Sequence, residues 1–190
     1  MTRKSVRLDD KDRTIITLLH DNPQISQEEI AKEVKLSQPS VATRIKKLRE
    51  KGIMETISGI NLNKVGIYVA IVTVRTTNTQ KILSMFRECP FFINGFIVSG
   101  SKNLMLWFAA EDLASLESMI DCRIRPHEDV QSADFTIMIS SSKDLVLPIR
   151  MVKRPQKSPP CGVDYEGCDA YPENRCFGCP ATGRYKGEFW

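Results

Sequence analysis

Hydrophobic positions along the first third of the chain recur at helical spacing. Ile15, Ile16, Leu18 and Leu19 give residues 11–20 one apolar face. Asp9 and Asp10 stand just ahead of them, where carboxylates suit the positive end of a helix. Asn22-Pro23 ends that helix. Ser26 followed by Glu29 has the spacing of a capping box, and Ile25 with Ile30 occupies the two positions of a hydrophobic staple. A second helix therefore starts at Ser26 and runs to about Val34. Ser37 caps a third, Leu36 and Val41 repeat the staple, and Val41, Ile45 and Leu48 form a buried stripe that Gly52 closes. A supporting helix followed by two helices around a tight turn is a helix-turn-helix. Residues 53–62 alternate weakly around Gly59 and read as a small β-hairpin, the wing of a winged helix.

The pattern then changes. Residues 67–76 are strand-like and 80–88 helical. Residues 91–99 and 104–110 read as two strands joined by a short Gly-containing turn. Residues 112–120 are helical, and 133–139 make a last strand with Phe135, Ile137 and Ile139 on one side. From Lys153 the stretch KRPQKSPP has three prolines in eight residues and reads as an extended linker. A segment rich in Cys, Gly and Tyr follows. The chain thus divides into residues 1–64, 65–150, a linker 151–160 and a tail 161–190, in the α+β class.

Composition adds a location for charge. Hydrophobic residues are 42% and charged residues 26% of the chain, ordinary for a globular protein, which excludes a disordered or collagen-like chain. The net charge of +4 sits in the first third: residues 1–66 carry 13 Lys+Arg against 9 Asp+Glu, residues 67–150 carry 8 against 9, and residues 151–190 carry 6 against 5. An anionic partner is expected there. No apolar run approaches the roughly 18 residues of a membrane helix, and the basic opening has no apolar stretch behind it, so no signal peptide is read. A cytoplasmic protein is expected.

The third helix has a face suited to that partner. At about 100° per residue, Ser40, Thr43, Arg44, Lys47 and Lys51 fall on one contiguous side, away from Val41, Ile45 and Leu48. Ser40 and Thr43 allow close approach to base edges, and Arg44 offers a bidentate fork to guanine or phosphate. Lys47 and Lys51 suit phosphates, which position a protein without reading sequence. A solvated basic face is the plainer reading of such a helix taken alone. On the second helix of a helix-turn-helix, the face points to the major groove of double-stranded DNA.

Residues 8–54 carry LD-x-x-D at Leu8, Asp9 and Asp12, IS-x-x-E-I-A from Ile25 to Ala31, LS-x-x-x-V-x-x-R-I-x-x-L from Leu36 to Leu48, and the EKGI ending at Ile53. In these features they resemble the DNA-binding domain of the leucine-responsive/asparagine-synthetase regulator (Lrp/AsnC) family. The resemblance implies a winged helix-turn-helix followed by a ferredoxin-like βαββαβ effector domain, and a homodimer or higher oligomer formed through that sheet. It also implies an effector site near the turn between the second and third strands, here Gly100, Ser101, Lys102 and Asn103. That turn departs from the family's pattern: it lacks the carboxylate that a buried ammonium group would need. A different ligand, or none, therefore fits this turn at least as well as an amino-acid effector, and the turn also reads as a simple hairpin.

Four of the six cysteines, Cys161, Cys168, Cys176 and Cys179, fall within 19 residues. Cys176 and Cys179 have the C-x-x-C spacing that lets two thiolates grip one metal from a tight turn. A structural zinc with four thiolates is the first expectation. An iron–sulfur cluster is the alternative, since Pro180 follows Cys179 as in ferredoxin-type motifs. Disulfides and unpaired thiols remain further possibilities. Cys89 and Cys122 read as ordinary buried thiols.

An enzyme is the competing class, because sirohaem decarboxylases resemble this family in architecture. Such an enzyme needs convergent acid–base groups. The chain has two histidines, His20 and His127; Arg123, Arg125 and His127 form a cluster that suits a carboxylated ligand but reads more plainly as a solvated turn. A DNA-binding regulator without catalytic residues is the favoured reading.

Overall fold

The computed structural model describes residues 7–151, 155–165 and 167–190. The opening residues 1–6, and Lys153 and Arg154 at the head of the Pro-rich stretch, lie outside the described residues. The chain forms two compact units, Met1–Ile57 and Ser58–Trp190.

The first unit contains α1 (Asp10–Asp21), α2 (Gln27–Val34) and α3 (Gln38–Glu50). Local chemistry sets their starts. The Ser26 hydroxyl accepts from the Glu29 amide at 3.2 Å while the Glu29 carboxylate accepts from the Ser26 amide at 2.9 Å, the expected capping box. Asp9 and Asp12 form a second box at the head of α1. Ser37 stands at the N-cap of α3 but makes no capping bond; its hydroxyl pairs with Ser40 Oγ at 2.8 Å. The turn between α2 and α3 is tight because Lys35 adopts φ 53°, in the left-handed region. Ile15, Ile30, Val34, Val41 and Ile45 pack into one core.

The second unit begins with β1 (Ile60–Asn61) and the single turn α4 (Leu62–Val65). The sequence βαββαβ follows as β2 (Tyr68–Thr76), α5 (Thr79–Phe86), β3 (Phe92–Ile97), β4 (Leu104–Ala110), α6 (Leu113–Arg123) and β5 (Val130–Ile137). The antiparallel sheet has the order β3-β4-β2-β5. Ala70, Val72, Val74, Leu104, Leu106 and Phe108 line its inner face, fully buried with Ile82 and Phe86 of α5 and Leu116 and Ile120 of α6. Each such large side chain contributes roughly 1.5–3 kcal/mol. On the outer face Ile71, Met105 and Trp107 are half-buried and Phe96 is exposed. The last strand stops at Ile137, so Ile139 is exposed rather than aligned with Phe135 and Ile137.

Residues 53–62 do not fold back as a hairpin. Ile60 and Asn61 pair with Leu147 and Val146 of β6 (Val146–Leu147). Gly59, read from sequence as part of the wing, permits that approach: a Cβ there would stand 2.9 Å from the Leu147 carbonyl oxygen.

Within the second unit, the cysteine-rich segment packs on the βαββαβ domain. Ser118 Oγ of α6 donates to the Arg175 carbonyl at 2.9 Å, and the Phe177 amide donates to Ser115 Oγ at 2.8 Å. The Glu111 carboxylate accepts from the Glu188 and Phe189 amides and from the Tyr185 hydroxyl. Trp190 meets the Phe91 ring edge-on at 5.1 Å. Even the proline-rich approach takes part, through the Gln156 amide and the Ala181 carbonyl at 2.6 Å.

Candidate nucleic-acid interface and thiol cavity

All five residues singled out on the third helix line one open groove of the first unit. Ser40, Thr43, Arg44, Lys47 and Lys51 share it with Arg7 and Leu8, which precede α1. The groove's volume is about 850 Å³. Ser40, Thr43, Lys47 and Lys51 are exposed. Their positions follow from burial of Val41, Ile45 and Leu48, which fixes the rotation of α3 and turns the polar side outward. Thr43 Oγ1 donates to the Pro39 carbonyl at 2.8 Å, which orients that hydroxyl along the groove wall.

Arg44 is placed differently from its neighbours. Its Nη1 donates to Asp12 Oδ1 and to Asp9 Oδ2, each at 2.7 Å. The two carboxylates raise the Arg44 pKa above its ordinary value, Asp12 contributing most. Asp9 in turn is held below the usual carboxylate value, first by the Asp12 amide and then by Arg44. Arg44 therefore joins α3 to the head of α1, a structural role added to its place in the groove. Sequence reasoning missed both the Asp9–Asp12 box and Arg7. The signals were present, in the i, i+3 spacing of the two aspartates and in the basic opening of the chain.

The Gly100–Asn103 turn is tied into the sheet. Asn103 Oδ1 accepts from the Thr76 amide at 3.0 Å and its Nδ2 donates to the Thr76 carbonyl at 2.8 Å. Lys102 Nζ reaches Ser132 Oγ at 2.9 Å and Asp134 Oδ2 at 3.0 Å. Gly100 takes φ 111°, and Ser101 is exposed. The amide of Asn103 is thus spent on closing the end of β2. The Arg/His cluster also separates: Arg125 pairs with Asp121, Arg123 Nη2 approaches Met85 Sδ at 3.5 Å, and His127 Nδ1 accepts from the Asp129 amide at 3.2 Å.

The cysteines give the largest difference from the sequence reading. All six line one cavity of about 50 Å³ between the C-terminal segment and the helices of the second unit. Cys161, Cys168, Cys176 and Cys179 come from the tail. Cys89 follows α5, and Cys122 lies in the last turn of α6. Cys89 is a buried free thiol, as expected, whereas Cys122 is exposed at the cavity's edge. The six gather through the return of the tail across this helical face, which residue spacing does not reveal.

Burial dominates the thiols' acidity. It pushes the Cys89 thiol far up, with Cys161 and Cys179 as further causes, and it raises Cys122 to about 11, with Cys168 and Cys176 nearby. Cys179 is likewise raised to about 11 by burial. The Gly178 amide donates to Cys176 Sγ at 3.3 Å, opposing burial at that thiol. Gly178 has φ 85°, and a Cβ there would meet the Arg184 carbonyl oxygen and Tyr171 Cε2 at 2.9 Å, so the C-x-x-C turn requires glycine. Among the described residues, no group of three or more His, Cys, Asp or Glu side chains is already arranged to hold a metal ion.

Comparison with known proteins places this architecture. A family model described as winged helix-turn-helix DNA-binding matches residues 8–53. The HTH-type transcriptional regulator LrpA of Pyrococcus abyssi is 30% identical over 122 residues, covering 62% of this chain and 86% of that protein. The chain belongs to the Lrp/AsnC family of transcriptional regulators. The Mycobacterium tuberculosis regulator Rv2324 is 26% identical over 147 residues, 75% of this Lrp/AsnC chain and 99% of the relative. The structure of Escherichia coli AsnC superposes with a TM-score of 0.65 at 15% identity, covering 73% of this chain and 96% of AsnC, a likeness of fold. These relatives are named as regulators, so the decarboxylase alternative has no support among them. Among the described residues, no helix of this family member is long and apolar enough to cross a membrane.

Proposed function

We propose that this regulator acts in the cytoplasm by laying α3 in the major groove of double-stranded DNA. Ser40 and Thr43 meet base edges, and Lys47, Lys51 and Arg7 meet phosphates. Arg44 sets the angle of α3 through Asp9 and Asp12 and keeps its remaining donors for DNA. The observation that carries the reading is the shared groove: one open surface gathers all five residues and Arg7.

The outer sheet face, with Ile71, Met105, Trp107 and Phe96, supports assembly into a homodimer or a higher oligomer. Two copies would then present two α3 helices to one operator. A small-molecule effector at the Gly100–Asn103 turn would bind the backbone and Ser101 rather than the engaged Asn103 amide. The tail cysteines, Cys161, Cys168, Cys176 and Cys179, are proposed to bind a metal; thiolates suit both zinc and an iron–sulfur cluster.

The test begins with selection of bound duplexes from a random pool by the full chain, followed by affinity measurements over a range of salt. Lys47→Ala is expected to weaken binding several-fold across all selected sequences and to reduce the salt slope by about one. Equal affinity and slope in wild type and variant would overturn the assignment.

A further inference from the structure

We propose that the six cysteines form one site for a polynuclear iron–sulfur cluster, built jointly by the βαββαβ domain and the tail. The inference rests on the reading of the tail as metal-binding and deepens it. It is independent of the DNA face.

The first support is the gathering itself. The chain has six cysteines, and every one lines the same cavity. Cys89 lies near Cys161 and Cys179, while Cys122 lies near Cys168 and Cys176. Domain and tail therefore each contribute thiols to both ends of the cavity.

The donor set narrows the chemistry. Among the described residues, the lining carries thiols, hydroxyls and apolar groups, with neither carboxylate nor imidazole. An all-sulfur set selects zinc, copper(I) or iron–sulfur clusters. A single zinc needs four thiolates about 2.3 Å from one point. Here six thiols line one cavity, two more than a single zinc would take. Several irons together can use a larger set of thiolates than one ion can.

The surroundings suit such a cluster as well. Phe91, Met119, Pro159 and Val163 give the cavity an apolar wall. The Gly178 amide points at Cys176 Sγ, the kind of backbone donor that tunes cluster sulfurs. Ligation forms iron–thiolate bonds and releases the thiol protons to solvent. The iron valences come from the ferrous and ferric ions supplied, so the protein's thiols lose protons but are not oxidised. Bound this way, the cluster would fasten the tail to α5 and α6 through Cys89 and Cys122.

The full chain, purified without oxygen and reconstituted with ferric iron and sulfide in the presence of a thiol that reduces part of the iron, provides the test. Iron and acid-labile sulfide in near-equal amounts, with broad visible thiolate-to-iron absorption, are expected. Cys176→Ser/Cys179→Ser should lose both. Cys89→Ser/Cys122→Ser should lose most of the iron, whereas a tail-only site would keep it, so full iron in that variant overturns the joint site. Cys122→Ser alone changes an exposed position and spares the fold. It should release iron to a chelator several-fold faster, and an unchanged rate counts against the proposal. Zinc or copper without sulfide overturns the cluster but leaves a metal-binding tail. No metal at all removes both, and the DNA measurements on the same preparation stand apart from either result.

Discussion

Arg44 and Asp12 stand 2.7 Å apart, and their contact couples the helix that faces DNA to the capping box that starts α1. Asp9 completes the arrangement through the same Nη1. One guanidinium thus holds two helices in register. This separates Arg44 from Lys47, which shares its face but is exposed. Arg44→Ala is expected to lower the stability of the first unit by about 1 kcal/mol and to weaken DNA binding. Lys47→Ala should weaken binding alone. Chemical denaturation of both variants, set beside their DNA affinities, checks the split; equal stability losses would count against it.

The carboxylates of the two capping boxes give the same region an acid sensitivity. Asp9 and Glu29 are both held below their ordinary values, Asp9 chiefly by the Asp12 amide and Glu29 chiefly by the Ser26 side chain. A folded-state value below the unfolded one stabilises the fold fully above the unfolded value. That contribution is lost as pH falls through the folded value. The melting temperature of the full chain should therefore fall from about pH 5 downward. Asp9→Asn should flatten the fall by removing part of what acid removes. A variant with the same acid slope as wild type would exclude this origin.

Gly178 provides a test of the tail that does not touch a cysteine. Gly178→Ala places a methyl group against the Arg184 carbonyl and Tyr171 in a left-handed turn. It should cost roughly 1–3 kcal/mol of local stability and loosen the Cys176–Cys179 turn. Limited proteolysis should then cut the segment after residue 155 sooner, while the sheet domain resists as before. Identical digestion would show that the turn tolerates the change.

Glu111 anchors the end of the chain at a second point. Glu111→Ala removes the acceptor for the Glu188 and Phe189 amides and for the Tyr185 hydroxyl. Amide exchange over residues 185–190 should accelerate by about tenfold or more, since a lost charged acceptor is worth about 1.5–3 kcal/mol. Unchanged protection would mean that the Phe91–Trp190 packing holds the segment alone.

Lys35 carries a cost that glycine would relieve. Its φ of 53° lies in the left-handed region, so Lys35→Gly is expected to be neutral or to stabilise the first unit by up to about 1 kcal/mol. A loss of melting temperature would show that the Lys35 side chain contributes more than its backbone costs.

Legibility in the sequence followed the range of the interaction. The Ser26–Glu29 box and the Val41, Ile45 and Leu48 stripe act over a single turn or two of helix, and the structure reproduces them. The βαββαβ order also read correctly, because each strand and helix carries its own period. The partners of Arg44 lie 32 and 35 residues away, beyond any reading of the helix face. Cys89 and Cys122 showed no metal spacing, since their neighbours arrive only when the tail crosses α5 and α6. The weak alternation around Gly59 was a strand signal whose partner was 87 residues downstream (Ile60 to Leu147).

That last pairing carries a kinetic consequence. Two residue pairs, Ile60 with Leu147 and Asn61 with Val146, close a loop that contains the whole four-stranded sheet. Closure of so long a loop costs entropy before a two-pair ladder can compensate. The seam should therefore zip only after β2 to β5 have assembled, and it should be the first part of the second unit to part under denaturant. When it opens, the segment arriving from the first unit and the segment departing toward the cysteines come free in one event.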